Sequence, residues 1–394
     1  MALIDYAKQK VKSMIETIDS VRELDFPYEH PREAVNFIRN FFEDRLSHLN
    51  EISDPNSARS VCRRVSKNID DFSRAVGFMV RACDIRGPLE LHGPLLRLTR
   101  RAIGSHIKLV VFSEWRFSPF TELYPGEFGN RFVLVGLPVS EAGNPLIAPL
   151  AGHELGHNIW RLLPNLQEFV GKEVTKTIKL SKKGELFEVA KMWGVSHCEE
   201  MFCDFIGLCI FGEGYLHAFQ YLVSPGGGLR NLGYPSVRDR IDALLQAAKT
   251  LNLAIPLTFE EEFDESDVSS DPKEQLLLEV SDKASQNLVP VLIDVAKQWC
   301  AAKGIINRDN DDVHRICESF KKVIPATGAK SLANIINAAW EIFLYDKKCW
   351  DKDYPITVKE PEKRVELLRE LALKSFEVFE IERIQEDRNA SIGR

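Results

Sequence analysis

Three residues in one short run have the types and spacing for hydrolytic metal chemistry. The run Ala151-Gly152-His153-Glu154-Leu155-Gly156-His157 contains H-E-x-x-H. On an α-helix, residues four apart share a face, so His153 and His157 can each aim an imidazole nitrogen at one Zn2+. Glu154 stands beside the ion and can take a proton from a metal-bound water. Zinc lowers that water's pKa to about 7, which makes hydroxide available at neutral pH. The flanks, Pro145 to Ala151 and Asn158 to Trp160, carry no charge. Ionisable side chains on so apolar a helix need a charge partner.

A catalytic zinc site takes three protein ligands and keeps one position open. The next cluster of donors is His197-Cys198-Glu199-Glu200-Met201-Phe202-Cys203-Asp204. Met201, Phe202, Phe205, Ile206 and Cys209 follow helical spacing, which predicts a helix carrying embedded acids. Glu200 and Asp204 are four apart and share a face. Glu200 can bind zinc, while Asp204 can accept a hydrogen bond from the other nitrogen of a ligating histidine. The rivals for third ligand are Glu199, about a hundred degrees round the helix, and His197, which reads as a cap-region or surface histidine ahead of the helix.

His153-Glu154-x-x-His157 followed by Glu200-x-x-x-Asp204 resembles the gluzincin zinc peptidases, and among them the HtpX-like and CAAX-protease-like branch. That branch also carries an H-P-x-x-x-x-R-I element. Residues Tyr234 to Ile241 match it, with Tyr234 in place of the histidine. The resemblance covers roughly residues 106–245. It implies that Tyr234 can donate a hydrogen bond to the oxyanion formed when a carbonyl is attacked, and that Arg240 can assist or pair with a nearby acid. The membrane helices of that branch are missing, so a prenylated membrane substrate is not expected.

The elements that must position these groups can be read from periodicity. Residues 1–105 read as helical, with Ala34, Phe37, Ile38, Phe41 and Phe42 at helical spacing. The β-branched runs His106 to Ser113 and Arg131 to Pro138 read as strands, separated by a loop from Ser118 to Asn130. Ser224 to Gly228 reads as a loop. Phe259 to Asp267 holds six acids and no base in nine residues, the pattern of an exposed acidic linker. The expected fold is α+β, mostly helical: a zincin-like lobe with a small sheet and an H-E-x-x-H helix, flanked by helical regions. The expected divisions are an N-terminal helical region (1–105), a metallopeptidase core (106–256), an acidic linker (257–272) and a C-terminal helical region (273–394). A substrate peptide is expected to pair with an edge strand near Val133 to Leu137. The broad apolar face between Lys330 and Phe343 is expected to bury beside the catalytic lobe.

Composition narrows the partners. The 394 residues carry a net charge of −7, so no general attraction to nucleic acid or anionic membranes is expected. Arg63-Arg64 and Arg97 to Arg101 read as solvated helical faces. No apolar run is long enough to span a bilayer. The eight scattered cysteines form no C-x-x-C and read as buried thiols of a reducing compartment, which makes the cytosol the expected location. The expected function is a zinc-dependent metallopeptidase acting on a peptide or protein substrate, with a protein regulator on the helical flanks an added option. Two alternatives stand beside it: a zinc-containing regulatory or scaffolding protein with an inert site, and a zinc hydrolase of a non-peptide amide.

Overall fold

A computed structural model describes residues 2–52, 55–83, 89–115, 119–124, 126–141, 143–178, 184–225, 230, 232–256, 259–260, 263–264, 269–305, 308–346, 349–351 and 360–392. The fold is α+β and mostly helical. Its helices are α1 (Ala2–Arg22), α2 (Glu29–Glu51), α3 (Pro55–Ala82), α4 (Leu89–Ala102), α5 (Gly126–Arg131), α6 (Leu150–Arg161), α7 (Pro164–Thr177) and α8 (Glu185–Phe211). They continue with α9 (Glu213–Val223), α10 (Val237–Thr250), α11 (Pro272–Gln286), α12 (Val289–Ala302), α13 (Asn310–Lys321), α14 (Leu332–Glu341) and α15 (Pro361–Ile392). The strands are β1 (Lys108–Glu114), β2 (Phe120–Thr121) and β3 (Phe132–Pro138).

The described chain divides into two compact units, and the division differs from the expected one. Residues 1–89 and 106–142 form the first, and residues 90–105 and 143–394 form the second. The strands thus group with the N-terminal helices rather than with the H-E-x-x-H helix. The reason lies in their side chains. Phe37, Phe72, Phe128 and Phe132 stack in one aromatic core, with Phe128 and Phe132 ring centroids 4.8 Å apart. Helices and strands of this unit share that core, so neither buries its apolar face without the other.

In the sheet, β3 lies between β1 and β2. It runs parallel to β1, with Lys108 opposite Phe132, and antiparallel to the short β2, with Phe120 opposite Gly136. β2 and α5 interrupt the stretch expected to be loop. All of β3 is buried. The outer edge of β1 is also covered: the Tyr28 hydroxyl exchanges 2.7 Å hydrogen bonds with the Val111 backbone, and His30 Nδ1 lies 3.1 Å from the Leu109 carbonyl. Pairing of a substrate strand at Val133 to Leu137 is therefore overturned, because these residues are in the central strand.

The second unit is organised around α8. From His197 to Phe211 nearly every residue of this helix is buried, the mark of a helix enclosed on all sides. α6, α7, α9, α10, α11, α12 and α14 all pack on it. The C-terminal helices are part of this enclosure. Asn337 of α14 donates to the Phe211 carbonyl and accepts from the Gly214 amide, and Trp340 donates to the Leu146 carbonyl at 3.1 Å. Arg97 of α4 donates to Glu380 and Asp387 of α15, so this member of the basic cluster is paired with acids rather than merely solvated. The acidic linker is only partly described. Within it Phe259 is buried, and its ring sits 5.5 Å from Phe263 and 6.4 Å from Phe219. The linker is thus not wholly exposed. Part of the 224–228 loop, from residue 226 on, lies outside the described residues. Among the described residues no helix is long and apolar enough to cross a membrane.

Candidate metal centre

The site is built where α6 crosses α8, and two glycines make the crossing close. A Cβ on Gly152 would sit 2.9 Å from the Gly207 Cα, and one on Gly156 would sit 2.6 Å from the Cys203 Cα. Real Cβ atoms do not approach backbone that closely, so only glycine fits. Each glycine costs about 1 kcal/mol of helix propensity relative to alanine; what it gains is backbone contact between two helices. Residue 152 faces 207 and residue 156 faces 203, so the helices run antiparallel. The four-residue spacing of the histidines on α6 is then matched by the four-residue spacing of Asp204 and Glu200 on α8.

That register brings four of the expected residues together. His153 Nδ1 is 2.8 Å from Asp204 Oδ1. His153 Nε2 is 3.2 Å from Glu200 Oε2, and His157 Nε2 is 3.7 Å from Glu200 Oε1. His157 Nδ1 is 2.9 Å from Glu199 Oε1. Each histidine therefore has its Nδ1 held by a carboxylate, which turns both Nε2 atoms toward Glu200. Glu199, weighed in the sequence as a rival ligand, is placed as the partner of His157. The acids at 199 and 204 were each visible as embedded charges; only the helix crossing tells which ring each one meets.

Asp204 is the most heavily bonded acid. It accepts the Tyr215 hydroxyl at 2.6 Å and a two-pronged contact from Arg240, whose Nε and Nη2 lie 2.8 and 2.7 Å away. Arg240 also sits over the Phe219 ring, 4.9 Å from its centroid. Of its two expected roles, the structure gives Arg240 the pairing with an acid. Tyr215 carries no sequence signal of its own. Its ring passes over Gly207, where a Cβ would come within 2.3 Å of it. His197 is fully buried within α8 and lies 3.1 Å from both the Leu232 carbonyl and Asp282 Oδ1. The reading of His197 as a cap or surface residue is therefore corrected: α8 begins a full three turns earlier, at Glu185.

The electrostatics separate the two glutamates. Burial pushes the Glu154 carboxyl up, and the two histidines only partly offset this. Burial pushes Glu200 the same way, but the contact with His153 and the field of His157 and Arg240 outweigh it and hold Glu200 down. Burial opposes charge on His153, yet Asp204 and Glu200 prevail and raise it to about 10. A centre that would retain a proton so firmly favours a cation between its rings. Glu154, Glu200 and Asp204 all feel the Arg240 guanidinium, and Glu199 adds a fourth acid at His157, a set of carboxyl groups that suits a divalent ion.

His153, His157 and Cys203 each bring a donor atom within 4.8 Å of the others, a group able to hold a metal ion. Glu200 competes with Cys203 for the third place. The Cys203 thiol is pushed far up by burial and by the surrounding acids, so its ligating thiolate form is disfavoured. Its sulfur is also packed beneath Gly156. Glu200 is ionised instead, and its Oε2 is buried without a hydrogen-bond partner although His153 Nε2 is close. A buried carboxylate oxygen left in this way fits a metal ligand. The Glu154 carboxyl is buried beside these donors.

Tyr234 is 39% exposed, on the segment leading into α10. Its phenol is pushed up by burial first, and then by Glu200 and Glu154, so its hydroxyl feels the acids of the centre. Comparison with protein-family models, with curated proteins and with solved structures finds no match.

Proposed function

We propose that this chain is a zinc-dependent metallopeptidase. The observation that carries the reading is the pair of Nε2 atoms turned onto the Glu200 carboxylate, whose Oε2 has no hydrogen bond, with a buried carboxyl, Glu154, one residue from the first histidine. His153, His157 and Glu200 would hold the ion. Zinc in such a site supplies Lewis acidity and lowers the pKa of water to about 7.

The remaining chemistry falls to the chain's own residues. Glu154, with its carboxyl held above the ordinary range, is suited to take a proton from the attacking water and pass it to the leaving amine. Asp204 and Glu199 hold the rings in the tautomer that leaves Nε2 free. Tyr234 can donate its hydroxyl proton to the oxygen that becomes negative on the substrate carbonyl. The motif order shared with gluzincin peptidases supports the same assignment. Cysteines that form no disulfide fit a reducing compartment such as the cytosol.

The test combines metal analysis with cleavage-site mapping in a lysate. The purified protein should carry about one zinc per chain. Glu154→Gln should keep the metal and abolish cleavage. A parent protein that produces no new peptide termini beyond those of Glu154→Gln would sink the peptidase reading and favour an inert zinc site or a non-peptide amide.

A further inference from the structure

Tyr234 lies on a segment fastened at several points, and none of the fastenings touches its own side chain. Arg230 makes a two-pronged contact with Asp282 of α11, Nη1 to Oδ2 at 2.7 Å and Nη2 to Oδ1 at 2.5 Å. The same Nη2 reaches the Tyr234 carbonyl at 3.3 Å. From α8, Ser196 donates to the Gly233 carbonyl at 2.8 Å, and His197 Nε2 lies 3.1 Å from the Leu232 carbonyl. His197 Nδ1 meets Asp282 on its other side at 3.1 Å. Just beyond Tyr234, Ser236 caps α10 by accepting the Asp239 amide at 2.9 Å.

Backbone carbonyls at 232, 233 and 234 are thus each held by a different side chain, and two of those side chains sit on α8 within one turn of Glu199 and Glu200. A surface loop that needed only to connect two helices would not require a half-buried ion pair of arginine and aspartate against a fully buried histidine. Burying that cluster is costly unless its geometry matters. What these contacts do is tie the backbone on either side of Tyr234 to α8 and α11.

We propose that Arg230, Asp282 and His197 form a clamp that positions the Tyr234 hydroxyl for donation to the substrate oxygen. They are positioning residues acting through Tyr234. The kinetic form of the proposal rests on the peptidase reading.

The test is a double-mutant cycle with fluorescein-labelled casein as substrate. Asp282→Ala should keep its zinc and its KM, and lose about 10–100-fold in kcat, the cost of a misplacement on the order of 1 Å. In a Tyr234→Phe background the same substitution should cost little more, because the group it positions is already gone. A full additive loss in that background, or no loss in the parent, overturns the clamp. Asp282→Asn, which keeps the side chain's shape beside His197 and removes the carboxylate charge that faces Arg230, serves if the alanine variant does not fold. If casein cleavage proves no greater than in Glu154→Gln, the peptidase reading fails by itself. The clamp is then decided by hydrogen exchange: amides at 232, 233, 234 and 236 should exchange faster in Arg230→Ala and Asp282→Ala than in Tyr234→Phe, and equal rates overturn it.

Discussion

Two carboxylates beside the same pair of histidines are driven in opposite directions. Glu200 is held ionised by contact with His153, whereas Glu154 is pushed up by burial. That contrast suits Glu200 to the ligand role and Glu154 to the base role in the proposed reaction. It also ranks the third donor, and metal analysis can check the ranking: Cys203→Ser should keep its zinc, and Glu200→Ala should lose most of it. The reverse result would move the site to a two-histidine, one-cysteine set. Asp204 gives a second prediction at this scale. Asp204→Asn should weaken zinc affinity by about 10–100-fold, because the residue that orients His153 loses its charge. It also leaves Arg240 buried beside a neutral amide, a loss on the order of 3–5 kcal/mol. A lower melting temperature should therefore accompany the weaker metal binding.

Helix-level effects turn on how closely α6 approaches α8. Gly156→Ala adds helix propensity worth about 1 kcal/mol, but its methyl would meet the Cys203 Cα at 2.6 Å. Overpacking of this kind costs about 1–3 kcal/mol, so the variant should melt lower and bind zinc less tightly. Gly77 of α3 is the control, since a Cβ there meets nothing within 4 Å. Gly77→Ala should melt slightly higher. Equal responses at the two positions would show that propensity, not contact, governs both. A pH effect belongs to α9. Burial first, and the field of Arg308 second, lower His217 from 6.5 to about 4, beside the Trp340 ring at 5.3 Å. The folded chain therefore holds this imidazole neutral while the unfolded chain takes up a proton. Its contribution to stability is whole above pH 6.5 and is lost as pH falls toward 4. His217→Phe should lose less melting temperature than the parent between about pH 7 and about pH 4.5.

For the whole molecule, the controlling fact is that the second unit closes around one helix. α11 and α12, beyond the acidic stretch, cover α8 directly. A chain ended at residue 272 would uncover apolar surface of α8 itself, so it should aggregate or bind hydrophobic dyes rather than persist as a folded core. Recovery of a soluble, zinc-loaded fragment would refute that dependence. The two units are also interleaved in sequence, since α4 lies in the second while the strands that follow it lie in the first. No single cut separates them.

What the sequence determined by itself was the local chemistry: a helix bearing His153, Glu154 and His157, a second bearing Glu200 and Asp204, and two strands near 108–114 and 132–138. These are set by spacings of three to five residues and by alternation of side chains, which the chain fixes before it folds. The tertiary structure decided the rest. Which acid meets which histidine depends on an antiparallel crossing that two glycines permit, and no local pattern encodes a crossing. Tyr215 reaches Asp204 only over Gly207, and His197 is enclosed only because α8 is longer than its apolar tail suggested. The placement of β3 in the middle of its sheet was equally hidden, because a strand buried on both faces has the same composition whether it pairs on one edge or two.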